Sequence, residues 1–124
     1  MTSEHDTRVR RVSEAVREEL ASLLANEVKD PGARGAIVTR VEMANDLRSA
    51  RVYVRLLEAS DDVGRRPILA KALERATGML RREVTQRLGL RFAPNLRFHY
   101  DEGQDNTARV ERLLAEIEAE RSKG

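Results

Sequence analysis

The chain has no cysteine, no tryptophan, only two tyrosines and two phenylalanines, and no long apolar run. Without cysteine there is no disulfide framework, no thiol nucleophile and no cysteine-based zinc site. No stretch approaches the ~20 apolar residues of a membrane-spanning helix, and the opening MTSEHDTRVRRVSEAV lacks the apolar centre of a secretory leader. A soluble, cytoplasmic protein is expected, with no membrane association. Aromatic residues make up 3% of the chain, which argues against a base-stacking platform of the RRM kind. There is no Walker loop, no glycine-rich dinucleotide fingerprint and no nucleophile elbow. His5 and His99 lie far apart in the sequence, and the acidic pairs Asp61-Asp62 and Asp101-Glu102 read as turn decoration. No catalytic residue, metal site, cofactor or small-molecule substrate is expected.

Charge is abundant and unevenly placed. The net charge is only +2, yet residues 65–100 hold nine cations (Arg65, Arg66, Lys71, Arg75, Arg81, Arg82, Arg87, Arg91 and Arg97) against Glu74 and Glu83. The segments on either side are both net acidic. Such a local excess points to a polyanionic partner, because Lys and Arg contacts to phosphate supply sequence-independent affinity for nucleic acid. The alternative is an ordinary solvated helix face.

Val9, Val12, Val16, Leu20, Leu23 and Leu24 recur at helical spacing and predict a helix over 7–28, capped by Asp6 or Thr7 and stopped by KDPG at 29–32. Two alternating runs follow. In AIVTRVEM, 36–43, the core face holds Ile37, Val41 and Met43, with Arg40 and Glu42 outside. In ARVYVRLL, 50–57, Val52, Val54 and Leu56 point inward and Arg51, Tyr53 and Arg55 outward. ANDLRS between them predicts a hairpin. After a polar loop at 58–67, helical spacing resumes near Pro67 with Leu69, Leu73, Ala76, Leu80, Val84 and Leu88, and Gly89 closes that helix. APNLRFHYD, 93–101, predicts a third strand with Leu96, Phe98 and Tyr100 inward and Arg97 and His99 outward. Val110, Leu113, Leu114 and Ile117 predict a last helix that frays near Ser122. Three strands with helices gathered on one face make an α+β two-layer domain.

Gly78 interrupts LERATGMLRREV, a run of otherwise good helix formers. Glycine in a helix interior costs about 1 kcal/mol relative to alanine. Its neighbours Ala76 and Thr77 are small, and Arg81 and Arg82 follow within a turn. A kink at this point has two uses. It lets the helix follow a curved sheet, or it lets a phosphate backbone approach helical amides closely. The tetrapeptide GARG at 32–35 also spells Gly-x-x-Gly, but it lies between a helix and a strand and reads as a turn.

The order α-β-β-α-kink-α-β resembles a type II KH domain, in which a Gly-x-x-Gly loop between two helices clamps nucleotides. Here an Ala-x-Gly bend stands in that place. With RVSEAVREELASLLANEVKDP (11–31), VTRVEMANDLRSARVYV (38–54), ALERATGMLRREVTQRLGLRFAPNLRFHYDE (72–102) and RVERLL (109–114), the chain resembles the ribosome-binding factor A family over nearly its whole length. It departs from that pattern in the glycine-rich DPGARGAI and in Thr107, where a glycine is common. The resemblance implies a non-catalytic assembly factor of the free small (30S) ribosomal subunit. Such a factor binds 16S rRNA near the decoding region and neck, assists late maturation and 5′-end processing, and supports growth in the cold.

It also implies a flexible N-terminal tail at 1–6, a KH-like RNA-binding domain at 7–103, and a C-terminal helix and tail at 104–124, acting as a monomer. Carried onto this sequence, the bend falls on Ala76, Thr77 and Gly78. The expected phosphate contacts are Arg75, Arg81, Arg82, Arg87 and Arg91, with a second cluster at Arg8, Arg10 and Arg11. Arg51, Arg55 and Arg97 lie on the sheet's outward face, where Tyr53 has two readings, a ring that stacks on a base or, more commonly, a plain exposed strand former. The competing readings are a protein-interaction module, docking through the acidic tail and last helix, and a generic RNA-binding KH-like protein.

Overall fold

The computed structural model describes residues 4–57, 64–102 and 113–121. Helix α1 (Glu4–Asn26) leads through a 3₁₀ turn at Pro31–Ala33 into strands β1 (Ala36–Met43) and β2 (Ser49–Leu56). Helix α2 (Arg65–Leu88) and strand β3 (Asn95–Tyr100) follow. A further helix, α3, covers 113–121. β2 is central, antiparallel to β1 and parallel to β3, so α2 is the crossover that two parallel neighbours require. This is the expected α+β architecture. The acidic pair Asp61-Asp62, Thr107, Val110 and Ser122 lie outside the described residues.

The core lies between the helices and one sheet face. Val16, Leu20, Leu23 and Leu24 of α1 meet Val52, Val54 and Leu56 of β2 and Leu69, Ala72, Leu73, Leu80 and Val84 of α2, all buried. Each buried Val or Leu side chain contributes roughly 1.5–3 kcal/mol. The α1–β1 turn is seated tightly on α2. Asp30 accepts a hydrogen bond from Gly32 N at 3.0 Å, and a side chain at buried Gly32 would meet Ala72 Cβ at 3.0 Å and Ile68 O at 3.2 Å. GARG is thus a turn, as its position between helix and strand predicts, and its first glycine is a packing residue. Gly89 closes α2 as expected, at φ 62° and ψ 38°, with Leu90 N donating to Thr85 O.

Four features differ from the sequence expectation. First, α1 begins at Glu4, so Asp6 and Thr7 sit inside it rather than capping it. His5 lies within the helix, its Nε2 2.8 Å from Asn45 O in the β1–β2 turn. Ser13 strengthens the same junction, donating to Val9 O and accepting from Met43 N. Second, β1 carries a register shift between Val38 and Arg40. The irregularity reverses the alternation, so Val38 is buried and Ile37 only half-buried. Third, β3 spans Asn95–Tyr100 rather than the expected 93–101; the hairpin turn itself forms as predicted, with Leu47 in the left-handed region at φ 60°. Leu47 is held there by its side chain's packing against the core.

The fourth difference is the kink. α2 is helical without interruption through Ala76, Thr77 and Gly78. The Thr77 hydroxyl bonds back to Leu73 O at 2.8 Å, a contact that a helix accommodates without breaking. The helix expected to bend at Gly78 is therefore one unbroken 24-residue helix carrying a glycine on its surface. The last helix forms over 113–121 with every residue exposed, including Leu113, Leu114 and Ile117.

Candidate nucleic-acid interface

The buried stripe of α2 fixes what its opposite side presents. Lys71, Arg75, Gly78 and Arg82 fall at intervals of four, three and four residues, so they line one face, and all four are exposed. Gly78 is the bare point in this cationic row. A Cβ built on it meets nothing within 4 Å. Nothing among the described residues therefore requires the glycine, although it costs helix stability. Among the described residues, Lys71 and Arg82 make no hydrogen bond or ion pair, and Arg75 pairs with Asp30 at 2.8 Å while staying mostly exposed. Gly32 N and, next, Arg75 hold the Asp30 carboxyl below the usual carboxylate range.

The other expected contacts on α2 have internal partners. Arg81 donates to Pro94 O at 2.9 Å and Ala93 O at 3.1 Å, pinning the α2–β3 connection. Arg87 is surrounded by Glu27 at 2.7 Å, Glu83 at 3.4 Å and Glu19 at 3.5 Å, and joins the end of α2 to α1. The hydrogen bond to Glu27 is the main cause of its raised pKa. The run of arginines in the sequence thus separates into a row facing solvent and a set holding the fold. Spacing alone could have assigned the row; the partners of Arg81 and Arg87 are set by long-range packing.

Arg8, Arg10 and Arg11 are exposed near the start of α1. Arg10 and Arg11 border an open depression of about 690 Å³ that reaches Val41. This cluster lies toward the β1–β2 turn, which His5 touches, whereas Arg75 lies beside the α1–β1 turn. These two turns mark opposite ends of β1, an eight-residue strand about 25 Å long. The structure therefore does not gather Arg8, Arg10 and Arg11 with Arg75.

Arg91 leads to a feature that sequence reasoning missed. Phe92 is exposed within the α2–β3 connection, with the Arg48 guanidinium 4.3 Å and that of Arg91 5.6 Å from its ring centre. The dipeptide Arg91-Phe92 was the available signal; the approach of Arg48 from the hairpin turn was not. Among the described residues no cluster of His, Asp or Glu could hold a metal ion, and no helix is long and apolar enough to cross a membrane.

The family model described as ribosome-binding factor A matches residues 8–114. A ribosome-binding factor A of Sorangium cellulosum is 48% identical over 110 residues, covering 89% of this chain and 88% of that one. The fold resembles the crystal structure of ribosome-binding factor A from Thermus thermophilus, with a TM-score of 0.62, 23% identity, and coverage of 74% of this chain and 94% of that one. It also resembles a homology model of the Thermus thermophilus factor fitted into a cryo-EM map of a 30S complex, with a TM-score of 0.52, 25% identity, and coverage of 75% and 90%.

Proposed function

The chain belongs to the ribosome-binding factor A family, and on that premise we propose that it binds the free small ribosomal subunit through 16S rRNA and assists its late maturation. It acts near the decoding region and neck, aids processing of the precursor's 5′ end, and catalyses no reaction itself. It works as a monomer in the cytoplasm, and its contribution matters most in the cold.

The observation that carries this reading is the outer face of α2. Lys71, Arg75 and Arg82 supply cations along one line, and Gly78 leaves the helix bare between them. A ribose-phosphate chain can approach the helix backbone at Gly78 more closely than any side chain would permit, while the flanking cations meet its phosphates. Arg91 adds a cation beyond the end of α2, and Arg8, Arg10 and Arg11 form a separate cationic cluster toward the β1–β2 turn. Arg81 and Arg87 support the α2 face from within.

The Thermus complex supports the small subunit as the partner. A second reading, a protein-docking module, draws on α3, whose exposed Leu113, Leu114 and Ile117 lie beside Glu116, Glu118 and Glu120. A lysate run on sucrose gradients separates the two. rRNA binding gives comigration with free small subunits that high salt abolishes. Comigration that survives both high salt and RNase favours the protein partner and contradicts rRNA binding.

A further inference from the structure

The sheet face turned away from the helices carries a second, separate arrangement of rings and cations. Register places Arg40 of β1 opposite Tyr53 of β2, and Tyr53 opposite His99 of β3. The three side chains are stacked in a row. The Arg40 guanidinium is 4.2 Å from the Tyr53 ring centre, and the Tyr53 and His99 rings are 5.6 Å apart and tilted by 33°. His99 is exposed and forms the open end of the stack.

The neighbouring row is more telling. Arg51 and Arg97 are register partners, and both are exposed. Like charges directly opposite each other on adjacent strands destabilise a sheet. Glu42, register partner of Arg51, is paired with Arg40 at 3.1 Å. Among the described residues neither Arg51 nor Arg97 has a hydrogen bond or ion pair. A recess of about 380 Å³, lined by both arginines and by Glu42, opens here. Two arginines without an ion pair, against one carboxylate already held by Arg40, leave it net positive, which suits an anion. Adjacent side-chain rows on one face are about 6.6 Å apart along the strands, a distance that a single nucleotide bridges.

We infer that this sheet face is a second RNA site, taking an unpaired nucleotide with its base on the His99–Tyr53 stack and its phosphate between Arg51 and Arg97. The inference rests on the reading of the chain as an RNA binder, but it concerns the face opposite α2. Two distinct RNA segments are therefore held, one on each side of the domain. Stacking on aromatic rings tolerates any base, so the ligand is single-stranded RNA of relaxed sequence preference. Two side chains suffice because strand register, rather than aromatic abundance, brings them together.

The test uses a fluorescein-labelled twelve-nucleotide oligouridylate and the full chain. The double variants Tyr53→Ala/His99→Ala and Arg51→Gln/Arg97→Gln each alter only the outer sheet face; circular dichroism and urea unfolding establish that they fold. Each is expected to weaken oligouridylate binding about fivefold or more. Ultraviolet crosslinks are expected in peptides spanning 49–56 or 95–100. Lys71→Gln/Arg82→Gln is expected to weaken small-subunit binding while retaining these crosslinks. Failure of the parent to bind the oligouridylate, parent-like affinity in both sheet variants, or crosslinks confined to α1 and α2 overturns the sheet site. Full subunit binding by Lys71→Gln/Arg82→Gln instead overturns the α2 reading, so the two failures are distinguishable.

Discussion

Arg87 lies 2.7 Å from Glu27, tying the last turn of α2 to the residue that follows α1. With Glu19 and Glu83 also close, its charge is balanced within the protein. Arg87→Gln is therefore expected to lower the urea midpoint without changing the slope of unfolding, and the loss should shrink in high salt. The salt dependence of small-subunit binding should stay as in the parent. Parent-like stability with a shallower salt slope would make Arg87 a phosphate contact after all.

Gly78 makes the opposite prediction. An added methyl group meets no neighbour, and alanine is the better helix former by about 0.8–1 kcal/mol. Gly78→Ala is expected to raise unfolding stability by roughly that amount in urea titrations, while weakening binding to free small subunits. Reduced stability would show that α2 is not a continuous helix in solution. Raised stability with undiminished binding would leave the glycine without a function.

These two residues also show how far the sequence could be read. The order of elements along the chain, the inward faces of β2 and β3, the Gly89 cap and the buried stripe of α2 were legible because each follows from local spacing. Gly78 was visible as an anomaly. Local spacing did not reveal that the helix runs through it, because a glycine's cost says nothing about whether packing on both sides holds the helix together. Val38 replaced Ile37 in the core through the register shift in β1, which strict alternation cannot anticipate. The partners of Arg81 and Arg87, and the registers joining Arg51 to Arg97 and Tyr53 to His99, depend on elements distant in sequence. That is why the cations could be listed from the sequence but not sorted by role.

Asp30 gives a pH prediction. Gly32 N and Arg75 favour its charged form, so its pKa is lower folded than unfolded. The stabilisation is fully present above the unfolded value near 4 and is lost as pH falls through the depressed folded value. Urea midpoints measured from about pH 6 down to about pH 2 should therefore decline less steeply below about pH 4 in Asp30→Asn than in the parent. Parallel declines would mean that Asp30 does not contribute to acid sensitivity.

The central claim is that the exposed face of α2 meets the phosphates of small-subunit rRNA, and the salt dependence of binding measures this most directly. Affinity for purified free small subunits, followed across a range of salt concentrations, should give a log–log slope. Removing two phosphate contacts in Lys71→Gln/Arg82→Gln should flatten it by about 0.7–0.9 per residue. A double variant with the parent's slope and affinity would contradict the account.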